Sequence, residues 1–351
     1  MGALCGLTTT NPDASINAKN GTPTLDKQVK EDSTSQWDAT NTADIGQIVE
    51  FRTTIGVHPG AENYVLHDKM SAGLTFLPTK TVTGEDGVET EVSLITVERI
   101  DTSVSNDPIV VDPSMYTVIE DPQCEDAACT FEISFVKELT DLLDTNDKLI
   151  IHYSAMVNRN AVIGDTGNPN ETWLEFGEEH FTTHSQTTTR TYSFDLIKTD
   201  SQNKLIDGAE FRIYDAPTGG NEVKVVLMDD GVTYRRARED EEGVAIVVKN
   251  GQVTLVGFDN GTYYLEEIKT PEGYNQLTSR KDFTIADENL EATFNDGIYS
   301  VNSGVQIINK SGTMLPETGG IGTTLFYIVG GCLVIAAVVL LITKKRMSNA
   351  E

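Results

Sequence analysis

The chain has 351 residues and a formal net charge of -28 at pH 7. So large an acidic excess argues against nucleic-acid binding, which needs a basic surface for the phosphates, and suits a soluble, self-repelling exterior. Frequent Thr, Val and Gly, with no sustained helical period before the C-terminal tail, predict an all-β protein, and the length suits two domains before that tail.

Residues 1–21 read as a flexible, polar lead. They lack the basic start and full apolar run of a secretion signal, so the sequence is expected to begin as a fragment or at a misassigned start. Residues 22–183 hold alternating strand candidates, among them Ile48 to Ile55, Val92 to Val97, Thr130 to Val136 and Lys148 to Val157. Gly84-Glu85-Asp86-Gly87 reads as a hairpin turn, and Glu138 to Asp144 as a short helical turn. Cys124 and Cys129 lie between two strand-like runs and can close a loop disulfide; the alternative is two free thiols. The chain shows no zinc-ligand spacing, so no metal is expected. Residues 184–189 read as a polar linker.

Residues 190–312 alternate again, with strands expected at Tyr192 to Thr199, Glu210 to Tyr214, Val244 to Lys249, Thr262 to Ile268, Lys281 to Ile285 and Val305 to Lys310. The expected architecture is two β-sandwiches in tandem. The tail follows in three parts: Leu315-Pro316-Glu317-Thr318-Gly319 within residues 313–320, a charge-free apolar run over 321–342, and a basic end over 343–351 with Lys344, Lys345 and Arg346. The run's 22 residues suffice for a transmembrane helix at about 1.5 Å per residue. The basic cluster after it would hold the C-terminus in the cytoplasm and leave the rest outside.

Period-two alternation also singles out charged residues. Tyr192, Phe194, Leu196 and Lys198 share one face, which puts a lysine on the side that enters the core. By the same parity Glu267 lies with Tyr263 and Leu265, and Asn309 with Val305 and Ile307. In the first region Lys27 lies with Leu25 and Val29, and Asp68 with Tyr64, Leu66 and Met70. Such groups are ordinarily outside, and a buried, unpaired amine is driven towards its neutral form.

The tail resembles the cell-wall sorting signal of Gram-positive surface proteins. That resemblance implies secretion, membrane anchorage before sorting, and attack by a sortase on the Thr318–Gly319 bond. The threonyl carbonyl would pass to an amine of a peptidoglycan precursor or of the next pilin subunit. The stretches Phe194-Asp-Leu-Ile-Lys198-Thr-Asp200, Leu205-Ile-Asp-Gly208-Ala209-Glu210-Phe211 and Gly261-Thr-Tyr-Tyr-Leu-Glu-Glu267-Ile-Lys-Thr-Pro271-Glu-Gly273-Tyr274 resemble the prealbumin-like, collagen-adhesin B-type domains of pilins and adhesins, which form internal isopeptide bonds. Ile268 stands where that family usually has threonine. The resemblance implies that Lys198 attacks the Asn309 carboxamide with Glu267 as the acid. The reaction occurs once within the chain, so no enzyme activity and no cofactor are expected. If the chain-entropy model for disulfides carries over, a cross-link across so long a loop stabilises by roughly 4–5 kcal/mol.

The first region resembles the middle, Ig-like domain of pilus shaft subunits over Trp37-Asp-Ala-Thr, Asp44 to Phe51, His67 to Phe76, Tyr153 to Gly164 and Gly167-Asn-Pro-Asn170. Lys27 and Asp68 match the lysine and acid of that family's bond. Where its asparagine is expected the chain has Glu178, which has no ammonia to expel; Asn170 shares the inward parity and is the substitute candidate, against a plain Lys27–Glu178 ion pair. Lys19, in Asn17-Ala18-Lys19-Asn20, is the candidate polymerisation lysine. The expected function is thus a wall-anchored structural pilin; the alternative is a monomeric adhesin with a host or cell-surface ligand.

Overall fold

The computed structural model describes residues 21–58, 62–83, 89–124, 129–177, 179–285, 292–295, 298–301, 304–312 and 335. The sorting pentapeptide, the transmembrane run, Lys19, Glu178 and the Gly84–Gly87 turn lie outside those residues, apart from Ile335 within the run. Among the described residues no helix is long and apolar enough to cross a membrane.

The regular structure of the described residues is almost entirely strand, because the sequence alternates apolar and polar residues with period two. Asp147–Val157 shows the pattern most clearly, with Leu149, Ile151, Tyr153, Ala155 and Val157 all buried. It lies beside Ile48–Gly56 in a 7-stranded sheet that runs Ile109–Val110, Thr96–Asp101, Asp147–Val157, Ile48–Gly56, Thr24–Glu31, Gln36–Asp38, with Leu74–Leu77 also on Asp147–Val157. A second 7-stranded sheet runs Tyr116–Glu120, Phe131–Phe135, Val65–Met70, Asn168–Phe176, Ser185–Arg190, Thr40–Thr42, with His180–Phe181 off its path. One core, built around Phe51, Tyr64, Leu66, Phe131 and Tyr153, fills the space between them.

A second sandwich follows. Its 5-stranded sheet runs Val225–Leu227, Thr233–Arg236, Gln252–Phe258, Tyr192–Asp200, Gly304–Asn309. Its 4-stranded sheet runs Ile246–Val247, Glu210–Tyr214, Gly261–Lys269, Lys281–Ile285. A separate core includes Phe194, Phe211, Phe258 and Leu265. The first and last strands, Tyr192–Asp200 and Gly304–Asn309, are parallel neighbours, with Lys198 opposite Ile307 and Asp200 opposite Asn309.

Several expectations change. Residues 184–189 are not a linker: Ser185–Arg190 is a strand, antiparallel to Asn168–Phe176 and parallel to Thr40–Thr42. Its run of threonines has the polarity of a loop but the β-branching of a strand, and Thr187 and Thr189 are buried. The strand expected over Val92 to Val97 is two strands, Glu89–Ser93 and Thr96–Asp101, separated where the Ser93 hydroxyl caps the Ile95 backbone. The helical turn sits at Lys137–Thr140. Val244 to Lys249 shrinks to Ile246–Val247, while Gln252–Phe258 forms a full strand that the sequence reading omitted.

The two sandwiches abut directly. The Ile45 N–H donates to the Gly257 carbonyl at 2.9 Å, and the Asp44 carboxylate accepts from the Asp259 N–H at 2.8 Å and from Arg236 Nε at 3.0 Å. Gly257 has φ +83°, and a Cβ there would lie 2.4 Å from Ile45 Cδ1, so only glycine permits this approach. Burial raises the Asp259 carboxyl to about 6. Asp44→Ala removes both carboxylate contacts. It should broaden the distance distribution seen by small-angle scattering, while each sandwich unfolds within about 1 kcal/mol of the parent.

Candidate functional site

Two lysines are fully interior. Lys198 is 0% exposed, and with it the structure brings together the other two residues picked out by parity, Glu267 at 3% and Asn309 at 1%. Lys198 and Asn309 stand on adjacent strands of one sheet; Glu267 reaches them from Gly261–Lys269 in the facing sheet. The Lys198 amine donates to the Asn309 Oδ1 and, at 3.1 Å, to the Ile307 carbonyl. Asn309 Nδ2 donates to Glu267 Oε2 at 2.9 Å, to Thr270 Oγ1 at 2.8 Å and to the Asn275 carbonyl at 2.8 Å. Glu267 Oε1 lies 3.9 Å from the amine and has no hydrogen-bond partner, while Oε2 also accepts from the Leu277 N–H at 2.8 Å.

This arrangement has a direction. Loss of solvation lowers the Lys198 amine to about 8, against a partial opposing pull from the Glu267 charge. A large share of amine is then neutral near physiological pH and able to act as a nucleophile. The amide oxygen faces the amine, and the amide nitrogen faces the carboxyl group, the side from which a leaving group would collect a proton. Parity missed Thr270 and Asn275, which hold the Asn309 amide through a hydroxyl and a backbone carbonyl, and it does not show that the Ile307 carbonyl holds the Lys198 amine.

In the first sandwich Lys27 comes from one sheet, and Asp68 and Asn170 from the sheet facing it. All three are buried, with Lys27 at 2% and the other two at 0%. The Lys27 amine donates to Asp68 Oδ2 and to the Tyr153 hydroxyl, whose own proton goes to Asp68 Oδ2 at 2.6 Å. Asn170 Nδ2 donates to the same hydroxyl at 3.4 Å, and Asn170 Oδ1 and Asp68 Oδ1 have no hydrogen-bond partner. The rings of Phe51 and Tyr153 flank the amine at 5.6 and 5.0 Å. Burial lowers the Lys27 amine and raises the Asp68 carboxyl, in both cases against the attraction between them. Tyr153, which links all three, is carried by an ordinary-looking core strand and was not singled out in the sequence.

Cys124 and Cys129 are joined by a disulfide, their Cα atoms 5.7 Å apart. The fold also brings His67 and Glu132 to this cysteine pair, with the four candidate ligand atoms within 4.8 Å of one another, a grouping that linear spacing does not show.

Comparison with known proteins supports the same reading. Residues 192–298 match the SpaA prealbumin-like fold domain, and residues 308–349 match the LPXTG cell wall anchor motif. The trypsin-resistant surface T6 protein of Streptococcus pyogenes serotype M6 is 25% identical over 284 residues, which cover 62% of this chain and 51% of the relative. The chain thus spans about half the length of that curated relative. Among solved structures, the pilus backbone RrgB of Streptococcus pneumoniae matches with a TM-score of 0.54 at 14% identity, over 83% of this chain and all of the other. The 35 kDa C-terminal fragment of the major pilin GBS80 of Streptococcus agalactiae matches with a TM-score of 0.55 at 17% identity, over 82% of this chain and all of that one. These likenesses establish a pilin-like fold of consecutive β-sandwiches. The chain is therefore a Gram-positive cell-wall surface protein with a prealbumin-like domain. It carries an LPXTG anchor motif at residues 308–349 and shares its fold with the solved backbone pilins.

Asp68→Ala would leave the Lys27 amine buried without its acid. In a chain kept uncrosslinked at this site by Asn170→Ala, the added substitution should cost about 3–5 kcal/mol in denaturant unfolding.

Proposed function

We propose that the chain is a structural subunit of a surface pilus, joined by sortase through Thr318 to a wall or pilin amine and stiffened by internal Lys–Asn bonds. The observation that carries this reading is the buried Lys198–Glu267–Asn309 group on the first, middle and last parts of one sandwich. In the proposed step the neutral Lys198 amine attacks the Asn309 Cγ. The carboxyl of Glu267 takes a proton from the attacking nitrogen and delivers one to Nδ2. The Cγ–Nδ2 bond breaks, ammonia leaves, and an Nζ–Cγ amide remains. Atoms balance with no co-reactant.

The same chemistry is proposed for Lys27, Asp68 and Asn170. Asn170 supports it better than Glu178 on chemical grounds, because only an amide expels ammonia. Its Nδ2 contact with Tyr153, itself bonded to Asp68, offers a proton path to the leaving nitrogen. Lys19 is proposed as the lysine that receives the next subunit's threonyl carbonyl; a host ligand is not needed for this role.

Intact mass of residues 21–312 under reducing conditions tests the bonds. The parent should lack two ammonia masses, Asn309→Ala and Glu267→Gln should each lack one, and Asn170→Ala should also lack one. A folded parent with no deficit would sink the mechanism. Wall extracts test the assembly: a ladder of covalent multimers removed by Lys19→Ala supports the shaft role, whereas a single anchored species supports a monomeric adhesin.

Bond formation should also depend on pH in one direction. The neutral amine is the reactive form and Lys198 sits at about 8, so the rate rises with pH and levels off above that value. Chain from cell-free synthesis, carrying Asn170→Ala and shifted to buffers of set pH, should lose its ammonia about tenfold more slowly for each unit below that point. A flat profile would contradict the assigned nucleophile.

A further inference from the structure

His67 lies on the outward face of Val65–Met70, the opposite side from Leu66 and Asp68, yet only 6% of it is exposed. Its cross-strand neighbours are Glu132 on one side and Trp173 on the other. The Trp173 ring stacks on the imidazole at 5.2 Å and 8°, which fixes the ring plane. Nε2 lies 3.3 Å from Glu175 Oε2, and Nδ1 lies 2.9 Å from Glu132 Oε1 and 3.6 Å from Cys124 Sγ. Cys124 Sγ is 3.3 Å from Glu132 Oε1. None of these residues belongs to either lysine site.

We propose that His67, Cys124, Cys129 and Glu132 form a redox-gated zinc site, closed to metal as the disulfide and able to hold one Zn²⁺ once the cysteines are reduced. The residue types suit zinc, which takes thiolate sulfur, imidazole nitrogen and carboxylate oxygen in a tetrahedron. With ordinary Zn–S, Zn–N and Zn–O bonds, the ligand atoms of such a tetrahedron stand roughly 3.3–3.8 Å apart. The Cys124–His67 and Cys124–Glu132 separations already fall in that range. The His67–Glu132 pair has to open slightly, and Glu132 is a long side chain near the surface. The sulfur pair has to part from bonding distance, which is what reduction does. Glu175 completes the arrangement: in the zinc form Nε2–H would donate to Glu175, the carboxylate–histidine support common behind zinc ligands, and Nδ1 would give up its contact with Glu132 and turn its lone pair to the metal.

The electron balance is simple. A dithiol reductant gives two electrons and two protons to the Cys124–Cys129 bond and is itself closed to a disulfide. Zn²⁺ then displaces the two thiol protons to solvent. A disulfide oxidant reverses the sequence and releases the metal. All four positions are filled by protein, so the site is structural and has no open position for a substrate. Cys124 and Cys129 would be joined to each other in one redox state and, through the metal, to His67 and Glu132 in the other.

The test uses the full chain with Cys5→Ser and Cys332→Ser, so that only this cysteine pair remains. Zn²⁺ is titrated against a chromophoric chelator into phosphine-reduced and oxidised protein, and Co²⁺ is added in parallel for its thiolate charge-transfer and tetrahedral d–d absorption. Reduced protein should bind one Zn²⁺ per chain, at least about 100-fold more tightly than oxidised protein, since loss of even a supporting group costs about 10–100-fold. His67→Ala and Glu132→Gln should each weaken zinc by at least about tenfold while the cysteines still close on reoxidation. Equal affinity in both redox states, no binding by the reduced parent, or unchanged affinity in the His67 and Glu132 variants would each overturn the proposal. The redox comparison needs no substitution at the four ligands, so a variant that fails to fold does not obscure it.

Discussion

A lysine amine inside an apolar core is the constraint around which each sandwich is organised. Neither Lys27 nor Lys198 reaches solvent, and the cost of desolvation appears as an amine held below its usual value. A chain can meet that cost by pairing charge with charge, by surrendering a proton, or by chemistry that removes the ionisable group. Both sites contain the parts for all three: a carboxylic acid, an amide, and surrounding core side chains that keep water away, with one further acceptor each, the Tyr153 hydroxyl and the Ile307 carbonyl. In the proposed reaction, transamidation with loss of ammonia would remove the buried amine's ionisable group and with it that cost.

The two sandwiches solve the same problem with different geometry. In the second, the lysine and the asparagine stand on neighbouring parallel strands, and only the acid crosses from the other sheet. A bond there would fasten the first strand to the last. In the first, the lysine stands on one sheet, and the acid and the amide stand on the other. A bond there would rivet one layer to the other. The extra hydroxyl of Tyr153 belongs to the first sandwich, where lysine and acid come from opposite sheets.

Much of this was legible because strand parity is unforgiving. One residue of slip reverses every side chain, so Lys198, Glu267 and Asn309 could be assigned to the interior from alternation alone. The candidate partner of Lys27 was harder, since Asn170 and Glu178 share a parity; the pairing of Asn168–Phe176 with Val65–Met70 sets Asn170 opposite Met70, two residues from Asp68 on the same face. The strand Ser185–Arg190 was hidden because hydroxyl-rich threonines read as loop by polarity. His67 was hidden for the opposite reason. Alternation alone would send it to the outer face, but no local pattern reveals that Trp173 stacks on it there and that Cys124 and Glu132 crowd its other side.

The absence of a linker between the sandwiches has its own consequence. Ser185–Arg190 ends inside the first body and Tyr192–Asp200 begins inside the second, so a single residue, Thr191, separates them, and it is buried. The angle between the two bodies is then a property of strand register rather than of a tether's random walk. Each chain would then behave as one stiff two-body segment rather than as two beads on a thread, and a one-residue insertion at Thr191 would re-aim one body against the other while leaving both cores intact.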